Sequence, residues 1–210
     1  VYKRQELYND QNDRSEDILK KQEQISKMME ELMSDEMKKL LDELFELAQD
    51  MNKEKVLDKL DDIDFSQDNM IKELDRTIEH FKKMEIEKMA KDISKELKDL
   101  AIKQDKLSER TLNKGFSEFK KNQEQEQLKD EFNDVQNDLF DLKKKNQELS
   151  NPKDLNTDEK EIEINKSMDK TIEELSDNKL KKAKEQQDQS SKSLNDLAES
   201  MDKLVSNGSE

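Results

Sequence analysis

Residues 86–107 read IEKMAKDISKELKDLAIKQDKL, and this stretch decides the fold. Its apolar residues, together with one glutamine, recur in steps of four and three: Ile86, Ala90, Ile93, Leu97, Leu100, Gln104 and Leu107. Such steps place side chains on one face of an α-helix, whereas a strand alternates every second residue. A mean step of about 3.5 residues is typical of helices that pack against a partner in a left-handed coiled coil.

The same spacing returns twice further along the chain. One stripe comprises Leu128, Phe132, Val135, Leu139, Leu142, Asn146 and Leu149, and the other comprises Leu180, Ala183, Gln187, Ser190, Leu194, Leu197, Met201 and Leu204. The sequence therefore predicts an all-α protein of long antiparallel amphipathic helices that form an extended coiled-coil bundle. The polar seam residues Gln104, Asn146, Gln187 and Ser190 are predicted to fix helix register at a cost in stability, so that Asn146→Leu would raise thermal stability.

Composition excludes several classes of protein. Of 210 residues, 44% are charged and 30% are hydrophobic, with two Gly, one Pro and no Cys. So few turn residues exclude α/β enzymes and β-sandwiches, and the lack of Cys excludes disulfide scaffolds and thiol catalysis. The formal net charge of −15 disfavours nucleic acid as a partner, because the phosphate backbone is itself anionic. No stretch of the sequence reaches the ~18 apolar residues of a membrane span.

Local signals divide the chain into two parts, residues 1–64 and 65–210. In the first part, a helix over residues 35–51 carries a wide apolar stripe, and a short helix follows it. In the second part, the apolar phase slips between Met84 and Ile86, which indicates either a local change in the supercoil or a change of packing partner. Three helices are predicted there, arranged as a spectrin-like rod with the earlier apolar helix covering one end: 66–111, 116–150 and 157–205.

Turn residues mark the ends of these three helices. Gly115 is predicted to end the first helix in a left-handed turn, Pro152 stops the second, and Thr157 caps the start of the third. Ser176-Asp177-Asn178 can interrupt the third helix, because Asp and Asn side chains compete for backbone hydrogen bonds.

No group of residues predicts catalysis or a bound cofactor. His80 is the only histidine, so the segment can form no triad and no multi-histidine metal site, and a solvent-facing position is predicted for it. The acidic cluster Asp58, Asp61, Asp62, Asp64 and Asp68 lacks the glycine and the terminal glutamate of a calcium loop. We therefore expect no catalytic, cofactor-binding or metal-binding residues, no small-molecule substrate and no enzyme activity.

Three segments carry a resemblance to a known class of proteins. They are Lys21-Gln22-Glu23-Gln24-Ile25, Glu31-Leu32-Met33-Ser34-Asp35-Glu36-Met37, and Lys72 to Glu85, which contains Glu73-Leu74-Asp75-Arg76-Thr77. Over residues 20–112 the chain resembles a middle segment of large, uncharacterised helical proteins of flavobacterial type, a domain of unknown function. Members of that family carry membrane-spanning helices near the N-terminus. The resemblance therefore implies a parent protein anchored in the inner membrane of the bacterial cell envelope, and it implies no catalytic or binding residues.

The sequence thus predicts a non-enzymatic structural, scaffold or assembly segment, itself soluble, of a larger protein. Its partners would be other helices of the parent, a second protein or another copy of the chain, with the membrane reached only through flanking segments. Two alternatives remain open. Amphipathic helices could bind a lipid surface, and Met28, Met29, Met33, Met37 and Met51 could hold a client protein as a chaperone-like clamp.

Overall fold

A computed structural model of the chain describes residues 16–28, 67–113 and 115–206. All regular secondary structure in these residues is α-helical, which confirms the all-α class. The helices are α1 over residues 16–28, α2 over Gln67–Thr111, α3 over Glu118–Gln147, α4 over Asp158–Ser176 and α5 over Leu180–Ser206. The helices predicted between residues 35 and 64, with Met29, Met33, Met37 and Met51, lie outside the described residues.

The chain divides into two compact units, Val1–Glu85 and Ile86–Glu210. The division falls inside α2, where the apolar phase slips between Met84 and Ile86, whereas the sequence placed the boundary at residue 65. A phase slip turns the apolar stripe to a different side of the helix. Residues before and after it therefore pack into different units.

The described part of the first unit consists of α1 and the beginning of α2. Lys21 of α1 forms an ion pair with Asp75 of α2. Ile78 is buried, whereas Ile18 and Ile25 on α1 are half-buried. His80 is exposed, which confirms its predicted solvent-facing position.

The second unit is a bundle of four antiparallel helices. Side-chain contacts join each helix to the next, and α5 back to α2. The contacts between α2 and α3 include Lys103–Glu131 and Gln104–Gln125, and those between α3 and α4 include Lys129–Asp169 and Lys143–Asp158. The contacts between α4 and α5 include Lys160–Ser200 and Glu163–Gln189, and those between α5 and α2 include Ser94–Asp202 and Ser108–Asp188. In each pair of helices, residue numbers rise along one as they fall along the other. The connectivity is therefore up-down-up-down, with each helix contacting both neighbours.

The three-helix arrangement predicted for this region is wrong, because the helix expected over 157–205 is two helices. The break lies at the predicted interruption. Asn178 has a φ of 57°, the left-handed conformation that Asn tolerates better than most residues. The N–H of Lys179 donates to the carbonyl of Glu174 at 2.7 Å, and the N–H of Asn178 donates to that of Leu175 at 3.0 Å. This pair of bonds is a Schellman motif, which satisfies the carbonyls at the end of α4 and turns the chain into α5.

The turn between α2 and α3 lies at Gly115 as predicted, but the reason differs. Among the described residues, no glycine has a positive φ. Gly115 instead donates its N–H to the side-chain oxygen of Asn113 at 2.9 Å, which closes an Asx turn. Ser117 then caps α3 by accepting the N–H of Lys120, so α3 begins two residues later than the predicted start at 116.

Thr157 occupies the N-cap position of α4, as predicted, but its side chain caps no backbone N–H. Its hydroxyl donates to the carboxylate of Glu161 at 2.5 Å. With a φ of −111° and a ψ of −8°, Thr157 is not in the extended conformation that aims a capping oxygen at the first turn.

The predicted seam residues form the core of the second unit. Those on α2, and those from Leu128 to Leu149 on and just beyond α3, are all at most 5% exposed. On α5 the stripe from Ala183 to Leu204 is at most 6% exposed, and Leu180 alone is half-buried. The sequence therefore predicted the buried face of three of the four helices.

Candidate functional site

A buried layer of polar side chains crosses the second unit near the turn between α2 and α3. Gln104 on α2 and Gln125 on α3 exchange two amide hydrogen bonds, of 2.9 and 3.0 Å. Gln187 on α5 donates to the side-chain oxygen of Gln125 at 3.0 Å, and the Thr111 hydroxyl donates toward the Gln187 oxygen at 2.7 Å. All four side chains have 0% exposure. We refer to Gln104, Thr111, Gln125 and Gln187 as the polar layer.

The polar layer contributes little to the stability of the bundle, but it favours one register of the helices over the others. Three glutamine amides carry two N–H donors each, and the hydrogen bonds within the layer use three of those six donors. Burial of an unsatisfied polar group costs about 1–3 kcal/mol. Sliding one helix past another would separate the amides and add to that cost, so we infer that the layer fixes register.

Of the four seam residues predicted to fix register, two meet in this layer. They are Gln104 and Gln187. Ser190 is fully buried but donates its hydroxyl to the carbonyl of Gln186 in its own helix at 3.0 Å. A hydrogen bond within one helix does not depend on where the neighbouring helix lies, so this bond does not fix helix register.

Gln125 and Lys121 are core residues that the sequence analysis missed. They precede Leu128 by three and seven residues, so they continue the stripe on α3, and both are at most 2% exposed. The signal was present as the same spacing of four and three. It was missed because no apolar residue precedes Lys121 and Gln125 at this spacing, whereas Gln104 and Gln187 have apolar residues on both sides along their stripes.

Asn146 serves a different purpose from the one predicted. Its Nδ2 donates to the carbonyl of Lys153 at 2.7 Å, and its Oδ1 accepts the N–H of Lys153 at 3.0 Å. The Lys153 Nζ in turn donates to the carbonyl of Leu204 at 2.9 Å, near the end of α5. Asn146 therefore holds the loop between α3 and α4 against the bundle, and from these bonds we expect Asn146→Leu to lower stability instead of raising it.

An acidic groove of about 260 Å³ lies between α2 and α3. Its lining includes Lys103, which pairs with Glu131 at 2.6 Å. The carboxylates that surround Glu96 are those of Asp92, Asp99, Asp134 and Asp138. Desolvation in the groove, followed by these like charges, raises the pKa of Glu96, and desolvation with Asp141 and Asp134 raises that of Asp138. These carboxylates therefore repel one another when they are ionised.

Glu96→Gln is expected to raise the free energy of unfolding at pH 7. The pKa of Glu96 is raised in the folded state, so ionisation of its carboxyl lowers the free energy of unfolding at pH values above the folded-state pKa. This penalty decreases as pH falls from the folded-state pKa to the unfolded-state value. The gain should therefore shrink as pH falls toward the ordinary value of about 4.3. Urea unfolding at several pH values measures it, with exposed Glu126→Gln, outside the groove, as the matched control. A gain of equal size at every pH would contradict the expectation.

The candidate residues considered in the sequence lie partly outside the residues that the structure describes. Asp58, Asp61, Asp62 and Asp64 lie outside the described residues, and His80 stands exposed on α2. Within residues 16–28, 67–113 and 115–206, no group of three or more His, Asp or Glu side chains is placed to hold a metal ion.

Comparisons with models of protein families, with curated proteins and with solved structures find no match to this chain. In the part of the chain that the structure describes, no helix combines the length and the apolar character needed to cross a membrane. The polar layer, the loop contact of Asn146 and the acidic groove therefore have to be interpreted from their own geometry.

Proposed function

We propose that the chain is a non-enzymatic spacer or scaffold segment of a larger protein, which acts through helix packing. The observation that supports this proposal is that the core of the second unit closes within one chain. The seam residues from Ile86 to Leu107, from Leu128 to Leu149 and from Ala183 to Leu204 are at most 6% exposed. A unit whose apolar faces cover one another needs no second chain to fold, and it can hold its flanking segments apart.

The larger protein would be anchored in the inner membrane of a bacterial cell envelope. This part of the proposal rests on the resemblance carried by Lys72 to Glu85, and the membrane would be reached only through segments of the parent that flank this chain. Partners would be other parent helices or a second protein. Phe119, Phe140 and Ile162 stand 76%, 67% and 66% exposed outside the seams, where such a partner could pack.

Sedimentation velocity over a hundredfold concentration range, with far-UV circular dichroism on the same samples, tests the proposal. A spacer predicts a strongly helical monomer of 24.9 kDa at every concentration. A mass and a helicity that rise together would instead show that the helices complete their packing with a second copy. That result would replace the spacer with an assembly module.

Two further measurements separate the alternatives. Flotation with neutral and with anionic vesicles is expected to leave the chain in the bottom fraction, whereas co-flotation would favour the lipid-surface binder. A chaperone-like clamp would suppress the aggregation of a thermally unfolding client protein. That suppression should then weaken in a variant with Met28, Met29 and Met33 replaced by serine, and the proposal expects no suppression by either protein.

A further inference from the structure

Buried polar side chains are concentrated at one end of the four-helix bundle. Because the helices are antiparallel, the turns at Gly115 and Asn178 lie at the same end, and the loop at Pro152 lies at the other. Of the fourteen buried polar side chains described, eleven lie in the half next to the two turns: Gln104, Ser108, Thr111, Lys121, Gln125, Ser167, Thr171, Gln187, Ser190, Ser191 and Ser193. We call this half the polar end and the other half the apolar end.

The apolar end has the opposite composition. Its buried polar residues are Ser94, Asn146 and Thr157, whereas it holds fourteen buried hydrophobic residues: Ile86, Ala90, Ile93, Leu97, Val135, Leu139, Leu142, Leu149, Ile164, Leu194, Leu197, Ala198, Met201 and Leu204. The polar end holds half as many, namely Leu100, Ala101, Leu107, Leu128, Met168, Leu175 and Ala183. The loop beside it is fastened by the hydrogen bonds between Asn146 and Lys153. Burial of apolar surface is the main stabilising contribution in a folded unit, so most of the bundle's stability resides at this end.

Opening the polar end costs less free energy than opening the apolar end. The glutamine amides of the polar layer regain full hydration in water, where all six of their N–H donors find partners. Lys121, 2% exposed in the folded bundle, regains full hydration of its ammonium group. Some of the buried hydroxyls, such as those of Thr171 and Ser190, bond the preceding turn of their own helix and keep those bonds when the helices part.

We propose that the bundle opens from its polar end while the apolar end stays closed. The helix pair joined at Gly115 and the helix pair joined at Asn178 would each move as a unit and would part from one another. The packed leucines and isoleucines near the Pro152 loop would act as the hinge. Local opening of this kind occurs where buried apolar contacts are few. The proposal depends on the core composition alone and stands whether or not the chain is a spacer.

The chain offers a direct test, because it contains no cysteine. Ser190 and Ala198 lie on the same helix, both have 0% exposure, and they belong to opposite ends. Ser190→Cys and Ala198→Cys each introduce a single buried thiol in the full chain, with a small change in volume. Their rates of reaction with a thiol reagent, each divided by the rate in urea, report how often each end opens.

We expect the Ser190→Cys thiol to react at least tenfold faster than the Ala198→Cys thiol after this normalisation. Replacing Gln104, Gln125 and Gln187 together by leucine in the Ser190→Cys background should slow its reaction by tenfold or more. Exposed Gln123→Leu, on α3 at the same end, is the matched control and should leave the rate unchanged. Equal normalised rates at the two positions, or a faster reaction at Ala198→Cys, would overturn the proposal.

Discussion

Phe132→Ala is expected to lower the free energy of unfolding by about 3–5 kcal/mol. Phe132 lies on α3 with 0% exposure, within the core of leucines, isoleucines and methionines contributed by all four helices. Removal of its ring loses the transfer free energy of a large apolar group, and close packing prevents the neighbours from filling the space. Urea unfolding followed by circular dichroism measures the loss. Phe132 lies midway along α3, where both ends of the bundle contribute to its surroundings.

The same helix supplies a matched control. Phe140 is eight residues away, with 67% of its surface exposed. Phe140→Ala removes the same atoms from the same helix, and we expect a change within about 0.5 kcal/mol. Similar losses for the two variants would mean that the stripe from Leu128 to Leu149 is not the buried face of α3. The antiparallel arrangement of the second unit would then have to be revised.

The spacing of apolar residues predicted the core of the second unit because the rule requires no knowledge of which helices pack together. Residues at steps of three and four share a face whichever partner the helix finds. The residues from Ile86 to Leu107 could therefore be assigned to the core before their neighbours were known. The phase slip between Met84 and Ile86 coincides with the division between the two units, although the boundary predicted from the sequence was at residue 65.

Features that depend on pairs of helices could not be predicted in this way. The number of helices depended on Asn178, because a solvated Asp-Asn pair is compatible with a helix interior as well as with a left-handed turn. The acidic groove is visible only after α2 and α3 are paired, since Glu96 and Asp134 lie 38 residues apart in the sequence. Asn146 occupies a seam position like that of Gln104, and no spacing rule distinguishes an amide that meets a side chain from one that meets a loop.

Asn146→Leu is expected to lower the free energy of unfolding by about 2 kcal/mol. The Asn146 side chain is 4% exposed and makes two hydrogen bonds to the backbone of Lys153. Leucine fills the space but leaves the N–H and the carbonyl of the half-buried Lys153 without these partners, and the loss of both bonds is costly. The loss should also weaken the contact of the Lys153 ammonium with the carbonyl of Leu204.

The opposite sign is expected when three amides are replaced together in the polar layer. Changing Gln104, Gln125 and Gln187 to leucine removes donors and acceptors at once, so that no amide is left without its partner, and stability should rise. Exposed Asn137→Leu, on the same helix as Asn146, should change stability by at most about 0.5 kcal/mol. If Asn146→Leu raised stability as the triple variant does, Asn146 would be a register residue of the seam after all. If only Asn146→Leu lowers the free energy of unfolding, then equivalent seam positions have different roles. One fixes the register of the helices, and the other holds a loop in place.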